Sequence, residues 1–193
     1  MLYFKNIYDE EVIYKDMYLK FDENVITKAS KRGDVQFLEW FKNSEYEFKY
    51  DVWAINYASG CGHVQVLEWF KNSGYEFKYD ENSIIWASQN GHVQVLKWFK
   101  NSGYEFKYDE SAINRASNSG HVQVLEWFKN SRYEFKYYED AINWGSESEQ
   151  IKVLKWFKNY YNIKKIIKIA ISAYIKTIKY KTINNYIKGY NKN

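Results

Sequence analysis

Apolar and polar positions along the chain repeat in blocks of 29 residues. Val64-Gln65-Val66-Leu67-Glu68-Trp69-Phe70-Lys71-Asn72-Ser73 returns almost letter for letter at Val93 and Val122, and in looser form at Val35 and Ile151. Each block divides into three pieces. In the second, Asp51 is an N-cap type residue, and Ile55, Ala58 and Ser59 stand at i, i+3, i+4, which predicts a short helix with one narrow buried face. Gly62 supplies the positive φ of a tight turn, and His63 to Asn72 carries a broad apolar stripe of Val66, Leu67, Trp69 and Phe70, predicting a second helix. After Gly74, read as a left-handed C-cap, Tyr75-Glu76-Phe77-Lys78-Tyr79 alternates apolar and polar and predicts a short extended limb. A unit this short cannot bury its own apolar face, so the units are expected to stack into an all-α helical solenoid.

The same pattern sets the organisation. Residues 1–21 read as an N-terminal cap, because Met17-Tyr18-Leu19-Lys20-Phe21 repeats the limb alternation of Tyr46-Glu47-Phe48-Lys49-Tyr50 one period earlier. Five repeats occupy residues 22–162, with boundaries near 22–50, 51–79, 80–108, 109–137 and 138–162. Residues 163–193 form a Lys-rich degenerate repeat or C-terminal capping helix, in which Ile163, Ile166, Ile167, Ala170, Ile171, Tyr174, Ile175 and Ile178 hold a helical stripe. The fifth repeat reads as the weakest joint. Gly145 and Glu149 replace the Ala58 and Gly62 of the second, so the array is expected to fray first around residues 138–150. Glu45 and Arg132 stand where Gly74 stands and should carry a similar backbone penalty of about 1 kcal/mol.

Composition adds three constraints. The 20 Tyr, 12 Phe and 8 Trp fall mostly once per repeat, which makes them chiefly a packing device. The single cysteine, Cys61, rules out an intrachain disulfide and suits a reducing compartment. Acids at Asp9 and Glu10 interrupt any apolar leader, and no apolar run approaches the roughly 18 residues of a membrane span, so a soluble intracellular chain is expected. The net charge of +4 is divided unevenly. Residues 1–162 hold 20 Lys and Arg against 24 Asp and Glu, whereas residues 163–193 hold 8 Lys and no acidic side chain.

In its order of features, the stretch Ala58-Ser59-Gly60-Cys61-Gly62-His63-Val64-Gln65-Val66-Leu67-Glu68-Trp69-Phe70-Lys71-Asn72-Ser73-Gly74 resembles the second half of the ankyrin repeat. Small residues precede a Gly-His turn, a valine-leucine helix follows, and glycine closes it. The resemblance covers residues 22 to about 160. Two departures stand out: the usual Thr-Pro-Leu-His opening is absent from a chain without proline, and the period is four residues shorter than the usual 33. The resemblance therefore implies truncated hairpin fingers. With its Lys, Asn, Ile and Tyr bias, the chain is also similar to short-repeat ankyrin-like proteins encoded by giant DNA viruses of amoebae, which would place it in host cytoplasm.

Candidate binding residues come from columns that differ between repeats. In the second repeat these are Trp53, Asn56, Tyr57, Gly60 and Cys61, four of them spaced as one helix face opposite Ile55, Ala58 and Ser59. The ankyrin resemblance implies that this first-helix face lines a groove where a protein partner docks. Lys28, Tyr57, Trp86, Arg115 and Trp144 would then form a ladder with rungs about 10 Å apart, accompanied on the same face by Trp53, Asn56, Gln89, Asn90 and Asn118. Equally, large aromatics here can fill gaps between repeats.

Other chemistries fit less well. His63, His92 and His121 share one column, about a full repeat apart, whereas a common metal ion needs donors about 2 Å away. They are expected to hydrogen-bond within the inter-helix turn, with Asp34 and Gln150 as polar substitutes. Repeated columns bring like residues beside their own copies, not a nucleophile beside a base, so neither an enzyme nor a cofactor is expected. The sequence reading is thus a monomeric, non-catalytic protein-interaction scaffold. Its alternative is an adaptor whose basic tail binds nucleic acid or an anionic membrane, set against a tail that is simply the solvated face of a cap.

Overall fold

The structure, a computed structural model, describes residues 24–138 and 147–160 together with positions 168, 171, 172, 174 and 175. The N-terminal cap at 1–21, most of the stretch expected to fray, Gly145 and Trp144 lie outside the described residues. Among the described residues the protein is all-α, with no strand. Its helices are α1 (Val25–Arg32), α2 (Val35–Lys42), α3 (Val52–Gly60), α4 (Val64–Asn72), α5 (Asn82–Gln89), α6 (Val93–Ser102), α7 (Glu110–Asn118), α8 (Val122–Asn130) and α9 (Glu147–Tyr160). The chain divides into two compact units, Met1–Ala112 and Ile113–Asn193, with the division inside α7.

In the first unit the helices pack in pairs and the pairs pack in layers. α1 lies against α2, α3 against α4 and α5 against α6, while α1 meets α3, α3 meets α5, α2 meets α4 and α4 meets α6. The residue types explain the two kinds of contact. On the first helix of a pair, small buried residues such as Ala54, Ala58 and Ser59 of α3 stand beside the larger Ile55, and the small ones let backbones approach closely. On the second they are large: Phe37 and Leu38, Val66, Leu67 and Phe70, then Val95, Leu96 and Phe99 are all fully buried. Each such side chain contributes roughly 1.5–3 kcal/mol by leaving water. In the second unit α8 packs on α9, with Val124, Leu125 and Phe128 buried in one and Val153 and Phe157 in the other.

The turn between paired helices follows from one glycine. Gly62 has φ +79°, its N–H donates to the Ser59 carbonyl at 3.0 Å, and the His63 N–H donates to the Ala58 carbonyl at 2.9 Å. This is a Schellman ending, which satisfies two orphan carbonyls of α3 and needs a left-handed residue that glycine adopts without strain. His63 then acts differently from its expected role. Its ring Nε2–H donates to the Lys31 carbonyl at 3.1 Å, so it ties α4's start to the end of α1 instead of closing its own turn. Asp34 is not an equivalent substitute, for its carboxylate caps its own helix by accepting from the Phe37 N–H at 2.9 Å. The side chain of Gln150 lies outside the described residues.

The limbs are irregular, not paired strands. In each, a lysine N–H donates to the carbonyl of the glutamate two residues earlier, at 3.0 Å for Lys49, 3.1 Å for Lys78, 3.2 Å for Lys107 and 3.0 Å for Lys136. A bond from i to i+2 is a γ-turn, which bends the chain at the intervening phenylalanine. Their rings stack from limb to limb, with Phe48 over Tyr75 at 4.3 Å and 11°, and Phe77 over Tyr104 at 4.2 Å and 14°. The Tyr79 hydroxyl donates to the Glu105 carbonyl at 2.6 Å, and that of Tyr50 donates to the Glu76 carbonyl. Burial, then the Glu76 carboxylate, pushes Tyr50 up to about 12.

Arg132 carries the expected backbone penalty, with φ +72° where Gly74 has +83° and Gly103 has +88°. Glu45 does not. Arg132 is the one described non-glycine with positive φ, and the chain leaves α2 instead through Asn43 at φ −93°, whose side chain donates to the Glu39 carbonyl at 2.8 Å. Arg132→Gly is therefore expected to stabilise the protein by about 1 kcal/mol in chemical denaturation. An unchanged or lower midpoint would refute the strain argument.

Tryptophan indoles clasp successive layers. Trp69 donates its Nε1–H to Glu39 and Trp98 donates to Glu68 in the first unit, and Trp156 donates to Glu126 in the second, each at 2.7 Å. The indole bond, followed by bonds from Asn43, Asn72 and Asn130 respectively, holds all three carboxyls below their usual range. A carboxylate favoured in this way stabilises the fold above its unfolded pKa, and that contribution disappears as pH falls through the lowered folded value. Because these groups are well exposed, each is worth at most about 1 kcal/mol. The melting temperature is expected to hold from about pH 7 to pH 5 and then fall toward pH 3, less steeply in Glu39→Gln/Glu68→Gln than in the wild type. Parallel curves for the two proteins would show that the indole-bonded carboxylates are not responsible.

Candidate interaction surface

Most of the residues singled out by sequence variation lie on the first helices of the pairs. Lys28 is exposed on α1, and α3 presents Trp53, the most open of the described aromatic candidates at 40 % exposure, beside the half-buried Tyr57. On α5, Trp86 and Gln89 are half-buried, and the exposed Asn90 just beyond it donates its Nδ2–H to the Gly60 carbonyl at 2.6 Å. On α7, Arg115 is exposed and Asn118 half-buried, the latter with its side-chain oxygen unpartnered.

The aromatic residues do not stand as separate rungs. Trp53 stacks on Trp86 with ring centroids 5.5 Å apart and planes 18° apart, and Tyr57 contacts Trp86 at 5.2 Å and Trp53 at 5.9 Å. The three rings make one continuous patch bridging α3 and α5. Offset stacks of this kind add roughly 0.5–1.5 kcal/mol per pair, so part of each ring is already used within the protein. What remains open is chiefly Trp53, with the half-buried Tyr57 and Trp86 beside it.

Two local features build the patch. Asp51 accepts from the Trp53 N–H at 3.0 Å and so fixes the start of α3. Gly60 leaves room for its partner, since a Cβ there would come within 3.0 Å of the Trp86 Cβ. One contributor was missed by sequence reasoning. Lys31 places its ammonium 5.1 Å from the Tyr57 ring centre, a cation-π contact. Its signal was its position three residues after Lys28, on the same face of α1.

Asn56 is a correction to the binding face. It is fully buried, and its side chain is committed to the next layer: its Nδ2–H donates to Asp80 at 2.7 Å and its Oδ1 accepts from the Ser83 hydroxyl at 2.6 Å. Asp80 also accepts from the Asn82 N–H at 2.9 Å, so Asn56 orients the cap of α5 and offers nothing to a partner. In the second unit Asn114 does the related work, accepting from the Tyr138 N–H at 3.0 Å.

Among the described residues no group of three or more His, Cys, Asp or Glu side chains is arranged to hold a metal ion, and no described helix is long and apolar enough to cross a membrane. Cys61 is a free, exposed thiol. No protein-family model matches the chain, and no curated protein matches it.

Proposed function

We propose that this protein is a non-catalytic interaction scaffold of the ankyrin-repeat type, working inside a cell. In this reading the helix pairs continue as a 29-residue solenoid with truncated fingers, and a protein partner docks on the first-helix face. One observation carries it: Trp53, Tyr57 and Trp86 form a stacked patch that is held by two helices and left open at Trp53. Rigid aromatic side chains lose little conformational freedom on binding, and Trp and Tyr dominate interface hot spots. The short limbs support the same choice of face, because their phenylalanines and tyrosines are already stacked on one another.

The test is affinity purification from cells producing the protein, comparing wild type with Trp53→Ala/Tyr57→Ala/Trp86→Ala. Expected is loss of the specifically bound partner, with affinity for the purified partner reduced at least about tenfold and the helical circular-dichroism signal retained. Retention of that partner together with a lower melting temperature would mean that the rings serve packing alone.

A further inference from the structure

We propose that the segment around Ile171, Tyr174 and Ile175 is an interfacial helix that lies on an anionic lipid bilayer. Positions 168, 171, 172, 174 and 175 are helical, and the three apolar residues stand at i, i+3 and i+4, so they share one stripe. A stripe that capped a helical array would be covered by it. Here Ile171 is 54 % exposed, Tyr174 69 % and Ile175 57 %, far more open than the core columns of either unit. Lys168, also exposed, and Ser172 fall at one border of the stripe, where a lysine stem can follow apolar surface while its ammonium reaches a headgroup.

Charge decides the occupant. Residues 163–193 carry 8 Lys and no acidic side chain, whereas the rest of the chain has more Asp and Glu than Lys and Arg. Nucleic acid would also attract the lysines, but its phosphate backbone has no use for three open apolar side chains. An anionic membrane surface uses both features, drawing the lysines to its headgroups and burying the apolar stripe at the acyl boundary. Each lysine near such a surface strengthens binding roughly fivefold at ordinary salt, and the buried stripe adds to that. The stripe shares no residue with the aromatic patch on α3 and α5, so either assignment stands without the other.

The full-length protein would be sedimented with vesicles of phosphatidylcholine alone and with vesicles containing about 30 % phosphatidylserine. Binding is expected to the anionic vesicles only, falling at least about tenfold in Ile171→Ser/Tyr174→Ser/Ile175→Ser, and falling similarly in Lys164→Gln/Lys165→Gln/Lys168→Gln/Lys176→Gln. Failure to bind anionic vesicles, or undiminished binding by the serine variant, overturns the proposal. So does a marked loss of melting temperature in the serine variant without lipid, since the protein itself would then be covering the stripe. Tighter binding to duplex DNA than to the vesicles, unaffected by the serine substitutions, would assign the segment to nucleic acid instead.

Discussion

Gly62→Ala is expected to lower stability by about 3 kcal/mol, or roughly 6–12 °C in melting temperature, whereas Gly74→Ala costs only about 1 kcal/mol. The two glycines have nearly the same backbone, φ +79° and +83°, so both substitutions force a side chain into the left-handed region. They differ in surroundings. A Cβ at Gly62 would meet His92 Nδ1 at 2.7 Å, His92 Cε1 at 2.9 Å and Gln94 Nε2 at 3.0 Å, while one at Gly74 meets nothing within 4 Å. Displacing a packed ring adds an overpacking cost of about 1–3 kcal/mol to the backbone strain. The first layer repeats the arrangement, for Gly33 at φ +76° faces His63 Nδ1 at 2.8 Å, and that ring is pinned by its bond to the Lys31 carbonyl. A double-mutant cycle separates the two contributions. In a His92→Ala background, Gly62→Ala should cost no more than Gly74→Ala does; an undiminished penalty there would show that ring contact is irrelevant.

This pairing of glycine with the next layer's histidine marks where sequence reading succeeds and where it stops. Local signals were legible because their physics is local. Asp51, Gly62 and Gly74 announced a cap, a left-handed turn and a helix ending, and the Val66, Leu67 and Phe70 stripe announced the buried side of α4. The destination of His63 was not legible, since nothing in its own turn points to a carbonyl 32 positions back. The limbs were legible only in part. Alternation of aromatic and charged residues announced a short extended limb, but not the γ-turn through which each limb satisfies its backbone locally.

The binding face shows the same division. Spacing placed Trp53, Tyr57 and Trp86 on the first helices, and the structure brings them into contact there. Spacing also placed Asn56 with them, at i+3 from Trp53, yet Asn56 is fully buried. A helix sandwiched between two layers has a narrower open face than the same helix on a surface. Which polar residue falls inside that limit depends on partners such as Asp80 and Ser83, which come from the next helix pair. Lys31 entered the patch unannounced by the same route, across a layer boundary.

Ser59→Ala/Ser88→Ala is expected to stabilise the protein, by about 2 kcal/mol in total and roughly 4–8 °C in melting temperature. In sequence these serines mark only a small position on the narrow face. Structurally they are fully buried in α3 and α5, and neither hydroxyl has a hydrogen-bond partner. The same holds for Ser30 on α1 and Ser117 on α7, so the feature belongs to the column and not to one irregular layer. A buried hydroxyl without a partner forfeits its bonds to water, at about 1–3 kcal/mol, and alanine is also the better helix former by about 0.5 kcal/mol. Against this stands the lost packing of one oxygen atom, worth less than a methylene and so below about 0.8 kcal/mol per site. The balance favours alanine at each position. Ser59→Cys/Ser88→Cys supplies the control, keeping a larger atom at the site while replacing the hydroxyl by a weaker hydrogen-bonding group. A melting temperature that falls in the alanine variant but not in the cysteine variant would show that the column is retained for volume, and that desolvation of the hydroxyl is the lesser effect.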